Sequence, residues 1–116
     1  MRVVISVGGS VLAPDLDPGR IEGYAATIER LVDEGASLGV VAGGGGVARR
    51  YIETARELGA NEVQLDQIGI DVTRINARLL IAALGDGVDP RVPHDHEAAG
   101  EAIRRGAVCV MGGITP

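Results

Sequence analysis

The sequence predicts an α/β fold, a three-layer α/β/α sandwich on a mostly parallel sheet. Three observations point to it. Arg2 to Val7, Leu38 to Ala42 and Ala107 to Met111 are nearly continuous apolar runs rich in β-branched residues, as parallel strands buried on both faces should be. Segments with helical spacing separate them, in the order β-α-β-α-α-(β)-α-β, which favours crossover connections. Each of the three strands also runs into glycines at its carboxyl end: Gly8-Gly9, Gly43 to Gly46 and Gly112-Gly113. In open parallel sheets that edge is where ligands bind.

The elements follow in order. After the first strand, Asp17-Pro18 reads as a helix start, with Asp17 as N-cap and Pro18 at the first helical position. Ile21, Tyr24, Ala25, Ile28, Leu31 and Val32 keep helical spacing, and Gly35 supplies the stop. After the second strand a helix begins near Val47, carries Val47, Tyr51, Ala55 and Leu58 on one face, and ends at Gly59. The longest helix is expected from Leu65 to Leu84. Its main apolar stripe is Ile68, Val72, Ile75, Leu79 and Ala82, with a second face of Ile70, Ala77, Ile81 and Leu84. A helix apolar on two sides is buried between layers or lies at a subunit interface. Asp86 to Pro93 is turn-rich and leaves room for a short strand around Arg91-Val92; Asp95 to Arg105 reads as a last helix, closed by Gly106.

The 116 residues suffice for one domain with a modest core, and 46% are apolar, so a packed globule is expected. Net charge is −5, which does not invite nucleic acid. All eleven Lys/Arg positions are arginine. Arginine presents a planar fork to phosphate, and a lysine phosphate clamp is impossible here. An acidic chain without lysine resembles salt-adapted archaeal proteins; bias toward arginine codons is the alternative. Cys109 is the single cysteine, so no internal disulfide forms, and its place within a strand makes it a core residue. The opening apolar run is too short for a signal peptide, and no stretch reaches the ~20 apolar residues of a membrane span. A cytoplasmic location without membrane partners is the default expectation.

The strongest chemical signal is Gly43 to Gly46, leading from strand to helix. Free N–H groups at a helix N-terminus bind anions, and the helix dipole adds to this. Arg49, in the first turn, is placed to fold back onto the same anion. The plain alternative is a tight turn with solvated arginines. The Gly-Lys-Ser/Thr ending of a P-loop is missing. The run Gly43-x-Gly45-x-x-Ala48 fits a loose dinucleotide fingerprint, with Asp66 near the position of the ribose acid. That acid should end a strand, however, whereas Asp66 opens a helical stretch. Gly8-Gly9-Ser10 is a second anion-suited turn. Asp66 is either a helix cap or an acceptor for sugar hydroxyls. Arg74 and Asp71 suggest a surface ion pair. His94 and His96 flank Asp95 without a third ligand, so a solvated helix start is preferred to a metal site.

These motifs together resemble a known family. Val7 to Leu12 (VGGSVL), Gly43 to Ile52 (GGGGVARRYI), Leu65 to Leu84 (LDQIGIDVTRINARLLIAAL) and Val110 to Pro116 (VMGGITP) are similar to archaeal UMP kinases of the amino acid kinase superfamily, in order along the whole chain. The resemblance implies phosphoryl transfer from ATP, with Mg2+, to UMP. It implies that Gly9 and Ser10 face the transferred phosphate and ATP, and that Gly45 and Arg49 serve the ATP phosphate side. Gly44 would line the UMP site, Asp66 would accept hydrogen bonds from UMP, and Gly113, Ile114 and Thr115 would begin the loop that wraps UMP. No side chain is assigned as catalytic. Family members are homo-oligomers, hexamers when intact. Bacterial relatives carry a lysine near the first strand's end, and Ser6-Val7-Gly8 offers none. Family chains also continue past the position of Pro116, through the rest of the uridylate loop and an ATP-binding part. The expectation is therefore that residues 1–116 form the N-terminal UMP-binding part of the domain, without the C-terminal ATP-binding part. A non-catalytic nucleotide-binding fragment and another small-molecule kinase of the superfamily are the alternatives.

Overall fold

The computed structural model describes residues 2–8, 17–85, 88–105 and 108–113. The elements are β1 (Arg2–Val7), α1 (Pro18–Asp33), β2 (Ser37–Ala42), α2 (Gly45–Glu57), α3 (Glu62–Leu84), α4 (His96–Arg104) and β3 (Cys109–Met111). The sheet is parallel, in the order β1-β2-β3. Val7 pairs with Ala42 and Val41 with Met111, so the three glycine-bearing strand ends lie along one edge.

Side chains alternate across the strands and define the layers. Leu38, Val40 and Ala42 of β2 and Val110 of β3 enter a core with Ile21, Ala25 and Ile28 of α1 and Ala77, Leu80 and Leu84 of α3. Gly39 points the other way. A Cβ there would come within 3.0 Å of Ile103 of α4, so glycine lets that helix lie close on the sheet. Helices α1 and α3 thus cover one face, and α4 packs on β2 and β3 from the other. Helix α2 packs on α3. The α/β/α layering expected from the sequence is present.

Local chemistry explains the boundaries. Asp17 accepts a hydrogen bond from the Gly19 amide at 3.0 Å and Pro18 opens α1, as expected. Helices α1 and α2 both close with the paired reverse bonds of a Schellman motif, from Gly35 and Ala36 and from Gly59 and Ala60. The longest helix starts three residues before the expected Leu65. Asn61 and Gln64 form a reciprocal capping box, at 2.9 and 2.8 Å, that fixes the first turn at Glu62.

Other expectations need correction. Helix α2 starts at Gly45 rather than near Val47, and its inward face is Ala48, Ile52 and Ala55; Tyr51 is 61% and Leu58 84% exposed. On α3 the buried face is Leu65, Val72, Ala77, Leu80 and Leu84, whereas Ile75 is 57% exposed. No strand forms at Arg91-Val92. Val88 instead makes a single parallel bridge to Val108, and Val92 is buried as a loop residue. No helix among the described residues is long and apolar enough to cross a membrane.

Candidate functional site

The site grows from the turn between β2 and α2. Gly44, the N-cap of α2, has right-handed backbone (φ −92°, ψ −36°), and Gly45 follows at φ +64°. That alternation of hand turns successive N–H groups toward one point and makes an anion-binding concavity. The positive φ requires glycine at position 45. At Gly44 the demand is steric: a Cβ would lie 2.5 Å from Ala48 Cβ and 3.6 Å from Thr73 Cγ2. Arg49 stands one turn after Gly45, on the same side of α2, and is exposed.

Helix α3 supplies the opposite wall. Asp66, Gly69, Ile70 and Thr73 follow helical spacing and face α2 across an open cleft of about 450 Å³, which Gly44, Gly45, Ala48, Arg49, Ile52 and Leu65 also line. Asp66 is exposed. The cap role considered for it is excluded, because Asn61 is the N-cap and Asp66 lies in the second turn. Its carboxylate projects from a helix wall that faces the glycine concavity. Gly44, Gly45, Arg49 and Asp66, far apart in sequence, therefore meet at one cleft.

Gly113 reaches the same wall. Its amide donates to Thr73 Oγ1 at 2.7 Å, and a Cβ on it would meet Ile70 Cγ1 at 3.2 Å. At Gly112 a Cβ would fall 2.6 Å from Thr73 Oγ1 and 2.8 Å from the Arg74 backbone nitrogen. The Gly112 contacts are too short for any other residue and that at Gly113 is tight, so the chain after β3 lies directly on α3. Gly9, Ser10, Ile114 and Thr115 fall outside the described residues.

Two residues of the site escaped the sequence reading. Asn76 is 3% exposed and donates from Nδ2 to the carbonyls of Gly43 at 2.8 Å and Gly44 at 3.4 Å. Thr73 accepts from the Gly113 amide and lies beside Gly44. The available signal was a pair of hydrogen-bonding side chains, three residues apart, on a helix otherwise apolar on its inner side. The proposed Asp71–Arg74 ion pair is absent: Asp71 accepts from Gln67, while Arg74 donates to the carbonyls of Pro93 at 2.7 Å and Val92 at 2.9 Å. Arg74 thus ties the connector to α3. Asp95 caps α4 through the Ala98 amide at 2.7 Å, and both flanking histidines are exposed. Cys109 is fully buried, and that burial, with the nearby Asp89 charge, raises its thiol pKa. No three His, Cys, Asp or Glu side chains come together to hold a metal ion among the described residues.

Comparison with known proteins bears on this cleft. The family model described as the amino acid kinase family matches residues 1–115. The chain is 68% identical over 116 residues to a uridylate kinase of Haloquadratum walsbyi and 53% identical over 116 residues to one of Methanosarcina barkeri. It covers 48% and 49% of those proteins, so it spans about half the length of the curated relatives it matches. The crystal structure of uridylate kinase from Archaeoglobus fulgidus superposes with a TM-score of 0.88 at 47% identity, over 97% of this chain and 50% of that one. That of UMP kinase from Bacillus anthracis gives 0.76 at 29% identity, over 97% and 52%. A family match across nearly every residue, on a fold shared with these enzymes, establishes that the chain belongs to the amino acid kinase family.

Proposed function

We propose that this chain is the UMP-binding part of a UMP kinase, which moves the terminal phosphoryl group of ATP to UMP and yields UDP and ADP for pyrimidine nucleotide synthesis. One observation carries the reading. The Gly44-Gly45 concavity, Arg49 and Asp66 line a single cleft, in a chain 68% identical to a uridylate kinase.

Phosphoryl transfer depends on placement and charge neutralisation more than on covalent chemistry. In this reading the inward amides at Gly44 and Gly45 and the N-terminal dipole of α2 hold phosphate oxygens between acceptor and donor. Gly44 lies toward UMP, and Gly45 with Arg49 toward ATP. Arg49 offsets charge without proton transfer, since guanidinium stays protonated. Asp66 accepts hydrogen bonds from UMP hydroxyls. The loop beginning at Gly113, Ile114 and Thr115 closes over UMP, while Gly9 and Ser10 complete the phosphate side. Mg2+ would enter with ATP. Intact, the protein works in the cytoplasm as a homo-oligomer, hexameric in keeping with the family. Its acidic, lysine-free surface suits a high-salt interior.

Calorimetric titration of the intact protein and its Asp66→Asn variant tests this. The amide keeps only part of the carboxylate's accepting capacity, so UMP affinity should fall by ~1–3 kcal/mol, about 5- to 150-fold, with ATP affinity nearly intact. Deoxy-UMP should lose less than UMP on the same substitution. An intact protein that forms no UDP from ATP and UMP overturns the proposal.

A further inference from the structure

We infer that Thr73 is a positioning residue of the nucleotide cleft: its hydroxyl fixes the chain after β3 relative to Asp66. The inference rests on the UMP-site reading above and extends it to a residue of the cleft wall to which that reading gives no role.

The hydroxyl is committed on both sides. Thr73 Oγ1 donates to the Ile70 carbonyl at 2.6 Å, one turn back on α3. A threonine hydroxyl has one proton, so this bond leaves its lone pairs to accept. The Gly113 amide donates to it at 2.7 Å. Both bonds are part-buried, and losing the acceptor would strand a backbone N–H against the helix. The methyl points elsewhere, 3.6 Å from where a Cβ of Gly44 would stand. One side chain therefore stands between two glycine turns and is hydrogen-bonded to one of them.

The helix extends this into a frame. Asp66 and Thr73 lie seven residues apart, two turns along one face. Asn76, three residues further, donates to Gly43 and Gly44. The turn after β2 is thereby fixed by Asn76, the chain after β3 by Thr73, and both are referred to the helix that presents Asp66. Gly113 is thereby held in place beside the cleft wall.

Two substitutions split the side chain. Thr73→Val keeps the methyl and removes the hydroxyl; Thr73→Ser does the reverse. In the intact protein, Thr73→Val should raise the KM for UMP about tenfold, the size of one lost hydrogen bond, and leave the KM for ATP unchanged. Thr73→Ser should restore the wild-type KM for UMP. A role in packing alone gives the opposite pattern, with Thr73→Ser the impaired variant, and that result overturns the inference. So does a Thr73→Val protein that binds UMP like the wild type. Should Thr73→Val fail to fold, amide hydrogen exchange in wild type and Thr73→Ser decides. The Gly113 amide should be protected in both, and exchange at the unprotected rate overturns the inference. A wild-type protein that binds no UMP sinks the underlying reading instead. Binding that persists in Thr73→Val sinks only the inference.

Discussion

Asp89 shows how one carboxylate can hold a corner of the molecule. It follows Val88, whose bridge to Val108 joins the connector to the sheet. Its side chain, 10% exposed, accepts from Arg91 Nε and Nη2 at 3.1 Å each, from the Arg91 amide at 3.0 Å, and from Arg105 Nη2 at 3.5 Å. The Arg91 side chain is the main reason that the Asp89 carboxyl lies below its ordinary value of 3.8, with the Arg91 amide next. Both arginine side chains are more than half exposed, so solvent screens the pairs and their net worth is modest. Because the folded value is lowered, the folded chain binds fewer protons than the unfolded chain between the two values. The stabilisation is complete above 3.8 and is lost as pH falls through the folded value. Asp89→Asn should therefore cost roughly 1 kcal/mol or less at neutral pH, and the gap in urea midpoint should close in strong acid. A gap that persists there removes the ion pairs as its source. Gly44 carries a different lesson at this scale. Its glycine turn promised room for a ligand, but the contact with Ala48 shows that the fold needs glycine there as well. Gly44→Val would disturb the turn itself along with any bound phosphate.

At the scale of elements, the caps and strand runs were readable because their causes are local. Asp17-Pro18, Gly35 and Gly59 act through neighbouring backbone, and each marks a helix end where expected. The face of α3 was not, because an isolated helix apolar on two sides does not say which side meets the sheet; on α2 the apolar stripe was visible, but its centre lies at Ala48 and Ile52 rather than at Tyr51 and Leu58. Proximity to α3 and the Gly44 turn puts Ala48 and Ile52 on the inner side of α2, and on α3 Gly69 and Thr73 face that turn while Ala77 enters the core. Asp66 was legible as a site candidate through its family segment, while Thr73 and Asn76 acquire meaning only once distant glycines arrive beside them. Of the expected stripe Val72 is buried, and the rest has a use. Ile68 and Leu79 are half-buried, and Ile75 and Ala82 are exposed, at intervals of seven, four and three, the spacing of a helix–helix seam. We expect this face to join subunits. Ile75→Glu in the intact protein should weaken assembly by about 2 kcal/mol or more, seen as a lower mass in light scattering. An unchanged mass with normal folding would exclude this face from the interface.

At the scale of the molecule, the described strands form a sheet with β1 on its outside. Helix α4 covers β2 and β3, and on that same face Val4 is 67% exposed and Ser6 is exposed. An outer strand with an exposed valine invites further strand or helix packing. The relatives named uridylate kinase are about twice as long as this chain, which covers 48% of one and 49% of another. A kinase must hold donor and acceptor in line at once, because placement supplies most of the acceleration. The cleft of about 450 Å³ presents one glycine concavity, one arginine and one carboxylate, a set matched to an acceptor and one side of a transferring phosphate. A polypeptide of residues 1–116 should therefore associate through β1 or α3 and form no UDP from ATP, Mg2+ and UMP. A coupled assay for UDP, run beside an Arg49→Ala control of the same polypeptide, measures this. UDP formed above that control would mean that these residues already hold both nucleotides, and that the cleft between α2 and α3 carries the donor as well as the acceptor.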